Sequence, residues 1–388
     1  MGHRAYLDWN ATAPLRPEAR AAMLAAADVF GNPSSIHGEG RAARGVIETA
    51  RRQVAALVGA EARNVTFTSG GTEANLLALQ PALEQGGDKA PRDRLLISAV
   101  EHPSVRCGGR FPASAIVELP VTPEGTVDLP ALERALAVGG RPLVSIMLAN
   151  NETGVIQPIA EAADIVHQAG GVLHVDAVQA AGKIPCDINV LGADLLTLSG
   201  HKFGAPKGVG ALVRRSEELH LAEALIRGGG QERGLRGGTE NVPGLAGFGA
   251  AAAAAAADLE AERARIGALR DRLELGLKAI SPDVVIFGAG VARLPNTTAF
   301  AVPGVKADTA LIALDLDGVA VSSGSACSSG KVAASHVLAA MGVEADLARG
   351  ALRVSLGFST AEADVNCFLT AWNKLVETLP KRTHGMAA

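Results

Sequence analysis

Lys202 stands in the run Leu198-Ser199-Gly200-His201-Lys202-Phe203-Gly204, where an apolar stretch gives way to a polar, glycine-rich turn. A lysine presented there can form a Schiff base with a carbonyl compound if its amine is desolvated or crowded by positive charge. On its own it is more simply a solvated loop lysine. Its neighbours along the chain change that balance. Val65 to Thr68 is apolar and β-prone, and is followed by Ser69-Gly70-Gly71-Thr72 and then a helical pattern. Glycines at a strand-to-helix turn let backbone approach an anion, and the helix start offers N–H groups to a phosphate. The turn carries neither GxxxxGK[ST] nor GxGxxG, so it is not a nucleotide loop of those kinds.

Val172-Leu173-His174-Val175-Asp176 ends an apolar strand on an acid. Ligands of α/β proteins bind outside the carboxyl ends of strands. Asp176 there can face the ring nitrogen of a pyridoxal phosphate and keep it protonated, or it can cap a following helix. His102 follows the strand ending at Ala99, where a flat ring could stack on a cofactor. Asn151 lies in Ala149–Gly154 after another strand. Gly228–Asn241 reads as a flexible polar loop carrying Arg233, Arg236 and Thr239. One shared ligand accounts for four polar strand ends and a lysine together.

Two further groups lie late in the chain. Cys327 is held in Ser322-Ser323-Gly324-Ser325-Ala326-Cys327-Ser328-Ser329-Gly330, a loop of small residues suited to a used thiolate rather than a buried structural thiol. Arg353 sits in the strand-like Ala351–Leu356. Its guanidinium can bind an amino-acid carboxylate through two parallel hydrogen bonds, or form an interface salt bridge.

The elements that must position these groups follow from hydrophobic pattern. Val65–Thr68, Leu95–Ala99, Leu143–Leu148, Val172–Val175, Leu195–Leu198 and Val209–Val213 are continuously apolar, as strands covered on both faces should be. Helical stretches such as Ala74–Leu83, Leu129–Ala137 and Ile159–Ala169 alternate with them, which predicts an α/β unit with a mostly parallel sheet. The Ala250–Ala257 run and the charged pattern from Asp258 to Ile280 predict helix leading into a second unit. Strand patterns return at Val284–Phe287, Thr297–Val302, Val319–Val321 and Leu352–Leu356, giving a smaller α+β unit on which Tyr6–Asn10 is expected to pack.

Composition excludes several classes. A net charge of −4 over 388 residues gives no basic footprint for nucleic acid. No run of about 18 apolar residues suggests a membrane span, and residues 1–9 lack the apolar core of a signal peptide. Four widely spaced cysteines without CxxC argue against a disulfide framework or a zinc site, and for a reducing, cytoplasmic setting.

Taken together, the chain resembles the cysteine desulfurases of the iron–sulfur assembly and nitrogen-fixation type, in the class V aminotransferase group of fold-type I pyridoxal-phosphate enzymes. The resemblance runs from Tyr6–Thr12 to Arg353 and is carried most specifically by SGHK at 199–202, ANNETG at 149–154, HVDAVQ at 174–179 and SSGSACSSG at 322–330. It implies a seven-stranded, mostly parallel sheet in a large domain of residues 15–257, and a small domain of residues 1–14 and 258–388. It implies pyridoxal 5'-phosphate held by Lys202 as Schiff-base lysine, Asp176 at the ring nitrogen, His102 on the ring and Gln179 at the ring oxygen. Gly71, Thr72, Ser199 and His201 would hold the phosphate, and Thr239 would reach the phosphate of a partner subunit in a homodimer. Asn151 and Arg353 would orient the carboxylate of L-cysteine. Cys327 would accept the sulfur as a persulfide and pass it to an acceptor such as an iron–sulfur scaffold. A class V transaminase or a selenocysteine lyase would share this fold, and a non-catalytic scaffold would have dispensed with Lys202 or Cys327.

Overall fold

The structure, a computed structural model, describes residues 4–324 and 335–378. Cys327 and most of its small-residue loop therefore lie outside the described residues.

Seven strands form the main sheet, in the order Val65–Thr68, Gly210–Arg214, Leu195–Ser199, Val172–Asp176, Pro142–Met147, Arg94–Ser98 and Ile116–Leu119. All neighbours are parallel except Gly210–Arg214, which runs antiparallel to both of its partners. Five of the seven strands, from Val65–Thr68 to Pro142–Met147, are buried along their whole length. Helices on both faces leave such strands no solvated side, which is why their sequences do not alternate. Because one strand is reversed, its entry at Lys207–Gly208 meets the carboxyl ends of the others at the same edge.

The helix Gly71–Ala78 differs from the expected Ala74–Leu83 at both ends. It begins on the glycine turn itself. It ends before Pro81, and Leu83–Gln85 then pairs antiparallel with Leu219–Leu221 as a small surface ribbon.

Beyond the sheet, Val242–Ile280 is one unbroken helix of 39 residues. Asn241 caps it by accepting from the Gly244 N–H at 3.1 Å, and Pro243 sits in its first turn, where no N–H partner is needed. At about 1.5 Å per residue it is close to 60 Å long. Its small-residue half packs tightly on Pro17–Ala27 and Gly38–Leu57. A Cβ on Gly249 would lie 2.5 Å from the Ala50 Cα, so the alanines and glycines here permit close helix contact. By length and composition this helix could cross a membrane, contrary to the expectation from the sequence, but half of its most apolar stretch is buried in the fold. The domain division expected at 257/258 falls within it, between Ala255 in the main core and Ile266 in the second.

The second core lies behind an antiparallel sheet of Val285–Ile286, Thr297–Ala301, Leu352–Ser355 and Ser322–Ser323. Phe300 and Trp372 meet edge to face with centroids 5.2 Å apart, and the Trp372 indole N–H donates to Ser281 Oγ at 3.1 Å. Ala5–Tyr6 pairs with Val319–Ala320, so the N-terminus docks on this second unit, as expected of a segment too short to fold alone. The chain then crosses from Asp8 to Thr12 toward the edge of the main sheet.

Candidate active site

A cleft of ≈ 610 Å³ opens where the carboxyl ends of the main strands meet the Asn10–Thr12 segment and Arg353. Gly71, Thr72, His102, Asn151, Asp176, Gln179, Ser199, His201, Lys202 and Arg353 all line it. Residues spread over some 280 positions of sequence thus converge on one cavity. Thr239 does not join them; it is exposed, away from the cleft.

At one end is the glycine turn. Gly70 caps the helix Gly71–Ala78 without any side-chain hydrogen bond, so the first N–H groups of the helix are not satisfied by a cap. A Cβ at Gly70, which lines the cleft, would meet no atom within 4 Å, whereas one at Gly210 would sit 2.5 Å from the Gly70 backbone. Glycine at 210 therefore lets the turn lie against the sheet edge. Glu73 ties the turn down, accepting from the Ser69 N–H at 2.8 Å and from Arg236 Nε at 3.2 Å. Ser199 packs against Gly71, where an added Cβ would come within 3.2 Å of the Ser199 Cβ. His201 lies beyond it, its Nδ1 3.2 Å from Thr12 Oγ1. Burial, then Lys202, Lys207 and Lys183, push its imidazole down to about 4. It is thus a neutral N–H donor at working pH, facing a region of backbone N–H groups and lysines suited to an anion.

Asp176 closes the strand Val172–Asp176. Only turns follow at 177–183, so it caps no helix. Its Oδ1 accepts from the Val178 N–H at 2.9 Å and its Oδ2 from Asn75 Nδ2 at 2.8 Å. Asn75 is a hub: Nδ2 also donates to Ser104 Oγ at 2.9 Å, and Oδ1 accepts from Thr197 Oγ1 at 2.5 Å. Behind Thr197 stands buried His174, between Thr197 Oγ1 at 3.2 Å and Ser145 Oγ at 2.8 Å. Desolvation holds His174 at about 4, so the residue below Asp176 is neutral.

His102 is joined to the same network. Its Nδ1 accepts from the Ser104 N–H at 3.2 Å and lies 2.8 Å from Ser104 Oγ. A backbone N–H can only donate, so Nδ1 is bare and the ring proton of neutral His102 sits on Nε2. Burial lowers its pKa, with Asp176 opposing and Lys202 and His336 adding to the drop.

Lys202 Nζ donates to the Asn10 carbonyl at 2.6 Å and the Ala11 carbonyl at 3.0 Å. Gln179 Nε2 donates to the same Asn10 carbonyl at 2.9 Å. Arg353, 2% exposed, donates from Nη1 to the Asn151 carbonyl at 2.8 Å and from Nη2 to Asp8 Oδ1 at 2.8 Å. The salt-bridge alternative for Arg353 is thus realised on one edge of the guanidinium, while the residue still lines the cleft. Asn150 shapes the Asn151 turn by accepting from the N–H groups of Glu152 and Thr153, each at 2.9 Å.

Asn10, Asn75 and Ser104 belong to this site and were not singled out from sequence. Asn75 had a signal: it is a polar residue one turn after Thr72 on an otherwise apolar helix face. Asn10 had none, because nothing local shows that the N-terminal segment folds back over Lys202.

Comparison with known proteins identifies the family of the chain. The family model for class-V aminotransferases matches residues 5–368. A cysteine desulfurase of Sinorhizobium fredii is 44% identical over 96% of this chain and 97% of its own length. The cysteine desulfurase IscS of Dictyoglomus turgidum is 42% identical over 98% of this chain and 96% of its own. Among solved structures, a NifS-like protein from Rickettsia africae superposes with a TM-score of 0.87 at 38% identity, covering 97% of this chain and 100% of that one. The chain therefore belongs to the class-V aminotransferase family, and within it to the cysteine desulfurases. Neither a transaminase nor a selenocysteine lyase is favoured by these relatives.

Proposed function

We propose that this cysteine desulfurase works with pyridoxal phosphate in the described cleft, taking sulfur from L-cysteine onto Cys327 and releasing alanine. The observation that carries the reading is the meeting, in one cavity, of an uncapped helix start, a twice-bonded carboxylate at a strand end, a lysine and a buried arginine. These residues fit the cofactor. Gly71, Thr72, Ser199 and neutral His201 suit its phosphate, and Asp176 suits a protonated ring nitrogen. Gln179 suits the ring oxygen and His102 the ring face. Lys202 is the amine to which it would be joined. Bound there, the cofactor supplies an aldehyde for amines and a protonated ring that takes up electrons from the substrate's α-carbon.

The chain's own groups do the rest. Arg353 and Asn151 orient the substrate carboxylate. Lys202, released as a free amine, takes the α-proton. His102, kept from charging by burial and with its ring proton on Nε2, can donate a hydrogen bond from that nitrogen toward the bound cofactor and substrate. The Cys327 thiolate then forms a sulfur–sulfur bond as the substrate's carbon–sulfur bond breaks; the bonding pair stays with the carbon skeleton, which is protonated and leaves as alanine. The resulting persulfide passes to an acceptor protein such as an iron–sulfur scaffold. A cytoplasmic homodimer, with Thr239 of each subunit reaching the other's phosphate site, completes the reading; the exposure of Thr239 supports it.

Borohydride reduction of the holoenzyme followed by peptide mapping tests the attachment. The pyridoxyl group is expected on Lys202. Finding it on Lys183 or Lys207 would overturn the assignment.

A further inference from the structure

Lys183 lies one helical turn's length beyond Gln179 and is half-buried beside the cleft. Its Nζ donates to Gln179 Oε1 at 2.8 Å and lies 3.3 Å from Asn10 Oδ1. Both acceptors are neutral amides. Among the described residues it forms no ion pair, and the charges acting on it are of like sign. Burial, then Lys202 and Arg353, hold its amine well below the ordinary lysine range. Cys186 is the one group pulling the other way, but burial raises that thiol to about 12, so it offers no thiolate as a counter-ion. His201, which Lys183 itself helps to push down, is neutral. On its far side a shallow cleft brings Arg16, Glu262 and Arg263 into the same lining. An ammonium there would stand among like charges, whereas an uncharged amine still donates two hydrogen bonds.

Those bonds have a direction. With Lys183 donating to Gln179 Oε1, the Gln179 amide is forced to turn Nε2 toward the Asn10 carbonyl, which it meets at 2.9 Å. The same carbonyl receives Lys202 at 2.6 Å. Asn10 Oδ1 is meanwhile held by Asn296 Nδ2 at 3.1 Å. Without Lys183, Gln179 would lose the donor that sets its orientation, and Asn10 would keep only part of its support.

We propose that Lys183 is a positioning residue for Lys202: it fixes the Asn10–Gln179 pair on which the Lys202 amine rests. The inference relies on Lys202 being the amine that carries the cofactor. It also explains why a second lysine is placed so close to the first, since as a neutral donor it orients the pair without repelling its neighbour.

The test compares wild type, Lys183→Met and Lys183→Arg as holoenzymes. Methionine keeps length and apolar bulk but removes the donors, while arginine installs a fixed charge. The readouts are the rate of cofactor loss and the pH midpoint of the visible absorbance band of the Lys202-linked cofactor. Lys183→Met should lose cofactor at least about tenfold faster, as expected for losing hydrogen bonds that order the site. Its midpoint should stay within about half a pH unit of wild type, because no charge has been removed. Lys183→Arg should lower the midpoint by about one unit or more, through a like charge within a few ångströms. Unchanged cofactor retention in Lys183→Met would overturn the proposal, as would a midpoint raised by a full unit in that variant, which would show Lys183 to be charged. If Lys183→Arg does not fold, the methionine arm decides alone. Borohydride mapping of wild type separates the two failures: a pyridoxyl group away from Lys202 defeats the assignment beneath the proposal, whereas a group on Lys202 with a silent Lys183→Met defeats only the proposal.

Discussion

Glu101 precedes His102 in the chain, yet its carboxyl is fully buried. Oε1 accepts from Ser98 Oγ at 2.6 Å and from the Met147 N–H at 2.7 Å, while Oε2 has no partner among the described residues. Desolvation raises it from 4.5 to about 8. Between those values the unfolded chain has lost a proton that the folded chain keeps. Stability is then fully present at low pH and falls as pH rises, by up to about 1.4 kcal/mol per pH unit. Glu152, raised by burial to about 7, acts in the same direction. His174 and His201, held at about 4, act oppositely, but only below their unfolded value of 6.5. Between pH 6.5 and 8 the histidines no longer oppose the carboxyls; Lys183, held below its ordinary range in the fold, still does, and the comparison of Glu101→Gln with wild type cancels its contribution. Thermal unfolding of Glu101→Gln should show a flatter decline of Tm over that interval than wild type, with the variant gaining relative to wild type as pH rises. Parallel curves would show that Glu101 ionises normally. Residue types of this kind were partly legible in the sequence. Lys202, Asp176 and His102 announced themselves by standing at strand ends. Asn75 left only its place one turn after Thr72 and Glu101 left nothing, because Asn75 is tied to Asp176 and Thr197 and Glu101 to Met147, far along the chain.

At the scale of elements, the strands were the most legible part, since burial on both faces leaves an unbroken apolar run. Loops were less so. Gly228–Asn241 reads from composition as flexible, but Glu232 within it is buried. Glu232 takes two hydrogen bonds from Arg51, at 2.7 and 2.8 Å, and one from the Phe67 N–H at 2.9 Å. Arg51 also lies over the Phe67 ring at 4.6 Å. Glu232 and Arg233 adopt φ of 46° and 57° to make this contact, a conformation whose cost the ion pair offsets. The loop that carries Thr239 is thus pinned at one end to the helix Gly38–Leu57 and the strand Val65–Thr68. Glu232→Ala strands a buried guanidinium and should cost about 3–5 kcal/mol in denaturant unfolding. The double variant Arg51→Met, Glu232→Leu should recover most of that loss, because neither charge remains to be solvated. If the single variant is destabilised by less than about 1 kcal/mol, a value ordinary for exposed pairs, the loop is not anchored this way.

The whole molecule makes one cavity from two sheets. Strand ends of the main sheet supply Asp176, Ser199 and the glycine turn. The N-terminal segment supplies Asn10 after pairing with Val319–Ala320, and the second sheet supplies Arg353. The long helix Val242–Ile280 has its first half in one core and its second half in the other, so the two halves of the cleft share a rigid connection. Sequence pattern showed most strands of the main sheet as unbroken apolar runs, with Lys202 just beyond one of them. It did not reveal the closure over Lys202, which depends on pairing between Ala5–Tyr6 and Val319–Ala320 more than 300 residues apart. Long-range pairing of this kind leaves no periodicity to read.

In the proposed reaction sulfur leaves L-cysteine for Cys327. The most direct measurement is mass spectrometry of the holoenzyme after exposure to L-cysteine, alongside alanine release by Cys327→Ser. Wild type should carry one added sulfur on the Cys327 peptide and none on those of Cys107, Cys186 or Cys367. The serine variant should bind cofactor and substrate yet form almost no alanine, since a hydroxyl cannot accept sulfur. Alanine formed by Cys327→Ser at the wild-type rate, or sulfur found on another cysteine instead, would show that Cys327 is not the sulfur acceptor.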